Sequence, residues 1–187
     1  MFKEQLAAEF APYGRLSELQ LNQLERHYEL LARWNQRLNL TRIRDELEAV
    51  QLHYCESLFL ANYLPPGSQQ IVDIGSGGGF PGLPIAIFRP DCEVTLVEAH
   101  QRKAVFLKEA SRELPNVHVR SSRAEDLDGT FDWLVARAVA PSDILKLELA
   151  PNIGLLVGVD DADEAQGKVQ SIPWGNRRVL FHVKRSS

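Results

Sequence analysis

Hydrophobic residues recur at steps of three and four through the first third of the chain, and this spacing predicts helices. The first stripe consists of Leu21, Leu24, Tyr28, Leu31, Trp34 and Leu38. Ser17 and Gln20 form a capping-box pattern at its start. A second stripe follows Asp45 and consists of Leu47, Val50, Tyr54, Leu58 and Ala61. Pro65-Pro66-Gly67 interrupts the pattern, so we expect a helical N-terminal extension over residues 1–66.

From residue 67 onward, short apolar runs alternate with helical patterns. The runs predict five strands, at residues 71–74, 93–97, 117–120, 131–136 and 154–159. The tail, 169–184, predicts a hairpin turning around residues 173–176. Alternation of strands and helices is typical of an α/β fold with a parallel sheet and helices on both faces, and the hairpin adds one antiparallel strand. We therefore expect a second unit over residues 67–187.

A glycine-rich turn joins the first predicted strand to its helix, which is where such folds place a ligand. The turn reads Asp73-Ile74-Gly75-Ser76-Gly77-Gly78-Gly79-Phe80-Pro81-Gly82. Glycines permit a sharp turn and let a ligand approach the backbone without obstruction by a Cβ atom. A flexible linker is disfavoured, because a buried strand precedes the turn and an apolar helix follows it.

Two classes of cofactor fit this turn. Gly77-x-Gly79-x-x-Gly82 satisfies the dinucleotide pattern, with Glu98 about 20 residues on as the acid that binds ribose. The other frame, Asp73-x-Gly75-x-Gly77-x-Gly79, resembles the first motif of class I methyltransferases. It also gives Gly75 and Ser76 a place, which the dinucleotide frame does not. In this second frame Glu98 would accept both ribose hydroxyls of S-adenosyl-L-methionine.

Residues farther along favour the methyltransferase frame. Ala124-Glu125-Asp126 follows the third strand, where the methyltransferase fold holds adenine. Residues 131–135 resemble the fourth-strand motif of that fold, whose carboxyl end faces the methyl group. A dinucleotide-binding module would not require these features, although it stays an alternative at this point.

A wider set of motifs narrows the identification. The set consists of Asn39-Leu40-Thr41, Arg44-Asp45, His53, the glycine-rich turn, Arg102-Lys103 with Phe106-Leu107, Ser122-Arg123-Ala124-Glu125, and Arg137-Ala138. Together these motifs closely resemble the RsmG (GidB) family, whose members methylate guanine N7 in small-subunit (16S) ribosomal RNA. The resemblance implies a Rossmann-like class I methyltransferase fold with a mostly parallel seven-stranded sheet and an N-terminal helical cap. A methyltransferase acting on a protein or a small molecule remains the alternative.

The two lines of reasoning give a set of expected site residues. The turn and its strand neighbour supply cofactor contacts at Asp73, Ser76, Gly77, Gly79 and Glu98. The resemblance implies further cofactor contacts at Gly75, Phe80, Ala124, Glu125 and Arg137. Arg137 is also expected to orient the target base, as the one catalytic residue. Arg123 and Arg177 are expected to contact RNA.

Charge and cysteine content refine the expected surroundings. The net charge is −4, yet residues 100–123 carry six basic and two acidic side chains, and residues 166–187 carry five basic and none. The expected partner is 16S ribosomal RNA or the small ribosomal subunit.

The two cysteines lack metal-ligand spacing, so we expect reduced thiols in a cytoplasmic protein with no membrane partner. No metal site is predicted, because His53 has no second ligand nearby; it is expected either to be hydrogen-bonded in the helix or to bind substrate.

The C-terminal part departs from the family pattern. Members commonly carry a lysine just after the fifth strand, whereas this chain reads Val157-Gly158-Val159-Asp160-Asp161. Asp160, Asp161, Asp163 and Glu164 form an acidic run that we expect to be a solvated loop or helix end.

Overall fold

A computed structural model of the protein describes residues 1–163, 166–175 and 177–185. The N-terminal helices are α1 (Phe2–Phe10), α2 (Glu18–Leu38), α3 (Glu46–Ala49) and α4 (Glu56–Tyr63). The predicted capping box is present, since the N–H of Gln20 donates to Ser17 Oγ at 3.2 Å and the N–H of Ser17 donates to Gln20 Oε1 at 2.8 Å. The second predicted helix also starts as expected, with Asp45 as its N-cap.

A π-helical turn over Val50–Cys55 separates α3 from α4 and was not predicted from the hydrophobic spacing. Such turns add a residue to a helical turn and often occur at functional sites. The six consecutive residues 53–58 are all buried, which an ordinary amphipathic stripe would not produce. The extra residue thus brings His53 and Glu56 into the interior together with the apolar stripe.

The strands form one seven-stranded sheet, which confirms the expected fold class. They are β1 (Gln70–Ile74), β2 (Glu93–Val97), β3 (Val117–Arg120), β4 (Trp133–Arg137), β5 (Asn152–Gly158), β6 (Lys168–Ser171) and β7 (Arg178–Lys184). Their order is β3-β2-β1-β4-β5-β7-β6. Strands β1 to β5 are parallel, and β7 runs antiparallel to both β5 and β6. The order reverses between β1 and β4, and ligands of such sheets bind at the carboxyl ends of the strands there.

The remaining helices connect the strands: α5 (Gly82–Phe88), α6 (Gln101–Ala110) and α7 (Pro141–Ile144). Helix α6 ends four residues before the predicted end at residue 114. There the Ser111 hydroxyl donates to the Leu107 carbonyl, and the Leu114 N–H donates to the Ser111 carbonyl at 2.9 Å, so the chain leaves the helix in a turn.

Two hydrophobic clusters lie on opposite faces of the sheet. One contains Ile71, Leu96 and Trp133 of the sheet together with side chains of α1, α2 and α4. The other contains alternate strand residues such as Val72 and Leu134. Successive strand residues point to opposite faces, so the N-terminal helices cover one face and share its core. The division into units 1–66 and 67–187 stays a prediction. Within the described ranges, the helices lack the combination of length and apolar character that crossing a membrane requires.

Candidate active site

The glycine-rich turn leads from β1 to α5 at the carboxyl edge of the sheet. Gly75, Gly77 and Gly79 have positive φ angles of 71°, 52° and 92°. A side chain at these positions would be strained, because left-handed backbone is accessible mainly to glycine. The alternation of these conformations matches the frame of alternate glycines. Gly82, the third glycine of the dinucleotide frame, is instead the first residue of α5.

The first half of the turn borders open space and the second half is packed. A Cβ atom built at Gly77 has no neighbour closer than the Gly75 carbonyl oxygen, at 3.8 Å. At Gly75 the nearest atom is a Val139 methyl carbon, at 3.4 Å. A Cβ atom at Gly82 would lie 2.6 Å from Asp73 Oδ2. A ligand can therefore approach the backbone at Gly75 and Gly77, whereas Gly82 is needed for packing.

Asp73, at the end of β1, is fully buried. Its Oδ2 accepts the N–H of Gly82 at 3.0 Å, and its main-chain carbonyl accepts the Ser76 hydroxyl at 3.0 Å. Its Oδ1 has no hydrogen-bond partner among the described residues. Burial raises the pKa of this carboxyl to about 7. Asp73 and Ser76 thus hold the turn against β1 and α5, and their contact with a cofactor stays a prediction.

Glu98 lies just beyond the end of β2, beside the turn. Its Oε2 accepts the N–H of Gly77 at 2.9 Å, and its Oε1 accepts the N–H of His100 at 2.8 Å. Two backbone donors therefore fix the carboxylate at the open part of the turn. Each carboxylate oxygen has a second lone pair, so both can still accept hydroxyl groups of a ligand. This geometry suits the ribose contact that the sequence predicts.

Phe80 ends the turn inside an aromatic cluster. Its ring stacks on His53 with centroids 4.5 Å apart, and Tyr54 and His27 meet it at 5.1 and 5.2 Å. The Gly78 carbonyl can only accept, so His27 Nε2 donates to it at 2.9 Å while Nδ1 accepts the Tyr54 hydroxyl at 3.0 Å. Burial lowers the pKa of His27 to about 4. A neutral His27 therefore fastens α2 to the turn.

Arg137, the last residue of β4, points into a buried group of charged side chains. Its Nη1 donates to His53 Nδ1, and its guanidinium carbon lies 5.9 Å from the Phe80 ring centroid. Its Nε lies 3.7 Å from Glu56 Oε2. Burial lowers the pKa of Arg137 to about 10. The side chain therefore remains a cation at neutral pH, held close to the end of the glycine-rich turn.

Glu56 of α4 is the anion of this group, and it is fully buried. Arg178, the first residue of β7, donates from Nη1 to Glu56 Oε2 at 2.6 Å. Burial raises the pKa of the Glu56 carboxyl, and the charges of Arg178 and Arg137 oppose that rise. The same carboxylate oxygen thus attracts two arginines from different strands and sets the position of both.

His53 completes the group as a hydrogen-bonded neutral side chain. Because its Nδ1 receives the Arg137 donor, its Nε2 donates to Thr41 Oγ1 at 2.7 Å. Burial and the neighbouring cation of Arg137 lower the pKa of His53 well below its ordinary value. Of the two expectations for His53, the hydrogen-bonded one agrees with this geometry.

The expected adenine and RNA contacts are more exposed. A short turn of 3-10 helix, Ala124–Asp126, follows β3; Ala124 is partly buried there, and Arg123 and Glu125 are exposed. Arg177 is exposed as well, and its carbonyl accepts the N–H of Val159 at 3.1 Å. Their contacts with cofactor or RNA stay predictions.

The acidic stretch after β5 is solvated over its described part. Val159–Asp161 forms a turn of 3-10 helix, and Asp160, Asp161 and Asp163 are exposed, as expected. Glu164 lies outside the described residues.

Two residues of the buried charged group were missed by sequence reasoning. Glu56 interrupts an apolar helical stretch, and a lone acid in such a stretch was a usable signal, because acids are seldom buried without partners. Arg177, and not its neighbour Arg178, was named from the sequence as a site residue. Adjacent strand residues point to opposite faces, so the choice between them depends on the pairing register, which places Arg178 opposite Gly158.

Asp73 should make stability fall as pH rises. An unfolded aspartate has a pKa of about 3.9, whereas the folded protein holds this one at about 7. Between these values the folded state binds more protons, so the free energy of unfolding decreases with pH and levels off above about 7. Asp73→Asn keeps an acceptor for Gly82 and removes the titration. Without ligands, urea unfolding should show the parent losing about 2–3 kcal/mol more than the variant between pH 5 and pH 8. Parallel pH profiles would refute the assignment.

Removing the charge of Glu56 should destabilise the protein strongly. Glu56→Gln leaves the nearly buried Arg137 and the partly exposed Arg178 without their anion, and breaking a buried pair typically costs about 3–5 kcal/mol. Glu113→Gln is the matched control, because Glu113 pairs with Arg26 at the surface, where loss of a pair costs about 0.2–1 kcal/mol. Denaturant unfolding of both variants measures the free energy of unfolding that each one loses. Equal losses in the two variants would contradict a structural role for the buried carboxylate.

The sequence of this chain is similar to those of ribosomal RNA methyltransferases. The sequence profile described as "GidB: rRNA small subunit methyltransferase G" matches residues 20–155. Ribosomal RNA small subunit methyltransferase G of Xanthomonas euvesicatoria is 47% identical over 120 residues, covering 62% of this chain and 56% of that protein. The Neisseria gonorrhoeae protein of the same name is 42% identical over 142 residues, which cover 74% of this chain and 68% of that protein. The matched region thus spans between about half and two thirds of these relatives.

Solved structures support the fold. A SAM-dependent methyltransferase from Aquifex aeolicus superposes with a TM-score of 0.56 at 14% identity, covering 73% of this chain and 92% of that one. The 23S rRNA methyltransferase ErmE gives a TM-score of 0.53 at 13% identity, and the superposition covers 71% of this chain and 68% of that one. The strand order and these superpositions therefore establish the Rossmann-like methyltransferase fold. Since the profile matches well over half of its residues, the chain belongs to the rRNA small subunit methyltransferase G (GidB) family.

Proposed function

We propose that this protein transfers a methyl group from S-adenosyl-L-methionine to guanine N7 of 16S ribosomal RNA. Family membership supports the reaction class. The observation that carries the proposal is the placement of Arg137, a largely buried cation, beside Phe80 at the end of the glycine-rich turn, next to a neutral His53. Asp73, whose pKa is about 7, is fully buried and holds the N–H of Gly82.

The residues at the turn fit the proposed cofactor. Gly75 and Gly77 leave room for a ligand against the backbone, and the fixed carboxylate of Glu98 is positioned to accept ribose hydroxyls. Phe80 and Arg137 border the same end of the turn. When bound, S-adenosyl-L-methionine supplies an electrophilic methyl group. Ala124 and Glu125 are proposed to border the adenine.

The chemistry of guanine N7 matches what these side chains can do. N7 has a free lone pair and no proton to lose, so its methylation needs no general base. His53 is neutral, buried and committed to Thr41 and Arg137, which leaves it no part in proton transfer. Arg137 is proposed to orient the target base near the cofactor. Positioning of reactants alone can contribute several kcal/mol to catalysis.

The RNA partner and the location follow as further proposals. Arg123 and Arg177 are exposed and are proposed to contact RNA phosphates. The substrate is 16S ribosomal RNA, free or in the small subunit. Both cysteines, Cys55 and Cys92, are buried and unpaired, which suits the proposed cytoplasmic location.

Glu98→Gln should weaken cofactor binding without unfolding the protein. The amide offers one acceptor oxygen in place of two charged ones, and hydrogen bonds to charged groups are worth about 1.5–3 kcal/mol. Calorimetric titration with S-adenosylhomocysteine should show an affinity loss of roughly 10- to 150-fold. The control is Glu93→Gln, at the opposite end of the same strand, whose carboxylate pairs with exposed His118. A change of less than twofold for Glu98→Gln would contradict its role.

The reaction itself is tested with parent protein, S-adenosyl-L-methionine and separate fractions of ribosomal RNA, protein and small molecules. We expect methyl transfer to the RNA fraction and N7-methylguanosine in the mapped product. Transfer only to protein or small molecules would favour the alternative activity.

The single-turnover rate should vary little between about pH 6.5 and pH 9, because no side chain must exchange a proton. Arg137→Lys keeps the positive charge but loses the guanidinium geometry, and we expect a rate loss of about 100-fold with circular dichroism unchanged. A bell-shaped pH profile that disappears in His53→Gln would indicate a general base and a different target atom.

A further inference from the structure

A groove between α2 and α6 lies beside the site. It has a volume of about 680 Å³, and its charged lining consists of Arg33 and Arg37 of α2 and Arg102 and Glu109 of α6. Trp34 and Val105 add apolar surface, and Val105 is 55% exposed. The sequence alone gave no reason to join these side chains, because α2 and α6 are more than 60 residues apart.

The three arginines of this groove lack an acidic partner within salt-bridge distance among the described residues. At the other end of the helix pair an arginine does have such a partner, since Nη1 of Arg26, on α2, lies 2.7 Å from Oε2 of Glu113, in the turn after α6. A second, smaller cavity there is lined by three arginines and three glutamates and is electrically balanced; Arg33 and Glu109 line both this cavity and the groove. The groove holds three arginines and one glutamate, so its end of the helix pair is the basic end, and the end at the smaller cavity is the balanced end.

That basic end adjoins the cofactor turn. A Cβ atom built at Gly78 would lie 3.2 Å from a methyl group of Leu31 and 3.6 Å from the Leu40 carbonyl, so the C-terminal part of α2 rests on the turn. Helix α6 starts at Gln101, directly after His100, whose N–H is bound by Glu98. The groove thus begins at the rim of the proposed reaction site and leads away from it.

Arginines interleaved with an exposed Val105 and a partly exposed Trp34 suit a single nucleic-acid strand. Guanidinium groups bind phosphates through paired donors, and sequence-tolerant strand binding combines a basic groove with flat apolar surfaces for bases. An acidic protein segment would satisfy the charges but would not need the surface formed by Trp34 and Val105.

We propose that this groove binds the sugar–phosphate backbone of the RNA strand next to the target guanosine. Arg33, Arg37 and Arg102 contact its phosphates, and Trp34 with Val105 supports a neighbouring base or sugar. The inference rests on the proposed function, because it takes ribosomal RNA to be the substrate.

The test compares two double variants with equal changes in charge, one at each end of the helix pair. Arg37→Glu with Arg102→Glu reverses the basic end, and Arg26→Glu with Arg112→Glu reverses the balanced end. Binding of a 16S RNA fragment to each protein is measured over a range of salt concentrations, with S-adenosylhomocysteine present. Cofactor affinity is measured separately by calorimetry.

We expect the first variant to bind RNA at least about tenfold more weakly, with a salt slope reduced by about 1.4 for two lost phosphate contacts to a single strand. Its cofactor affinity should equal that of the parent, and the control variant should bind RNA within about threefold of the parent. Equal weakening of both variants, or parental binding by the first, would overturn the groove proposal. If the parent protein itself methylates no ribosomal RNA, the proposed function fails instead, whatever the variants bind.

Discussion

The buried carboxylate of Glu56 is the interaction on which the site depends. It belongs to a helix of the N-terminal third, yet its partners are Arg178 of β7 at 2.6 Å and Arg137 of β4 at 3.7 Å. Without this anion, the cations of Arg137 and Arg178, whose side chains are 10% and 26% exposed, would lie close together with no counter-charge between them. Burying a charge is unfavourable unless a counter-charge and hydrogen bonds compensate. One side chain thus joins the helical layer to two strands and fixes Arg137.

The turn and the helices are connected in a second way, through neutral hydrogen bonds. His27 holds the Gly78 carbonyl, and Tyr54 holds His27. The three aromatic rings around Phe80 pack against the end of the turn. Both histidines there are neutral because of burial, and Asp73, whose pKa is about 7, is fully buried at the end of β1, so the site presents rigid groups and a fixed cation. This arrangement agrees with a reaction that requires positioning rather than proton transfer.

The charge on the surface near the site differs in sign from the net charge of the chain. The chain is acidic overall, with a net charge of −4. Three arginines nevertheless line the groove where α2 and α6 border the site, while the described part of the acidic run after β5 is exposed on another segment. Local charge, not net charge, is what a polyanionic partner meets within a Debye length of about 8–10 Å.

The sequence alone determined the α/β class, the strand positions, the capping of α2 and the ligand turn, because each depends on short-range periodicity or on residues adjacent in the chain. It also assigned Glu98 to the same cofactor site as the turn, since the carboxyl ends of neighbouring parallel strands meet at one edge, and the structure adds its contact with the N–H of Gly77. Tertiary structure alone decided that Glu56 is an internal anion, that Arg178 and not Arg177 reaches it, and that Arg33, Arg37 and Arg102 share a groove. Those outcomes depend on a π-helical turn, on strand register and on the packing of distant helices. Each is set by contacts between residues far apart in the chain, which local sequence patterns do not encode.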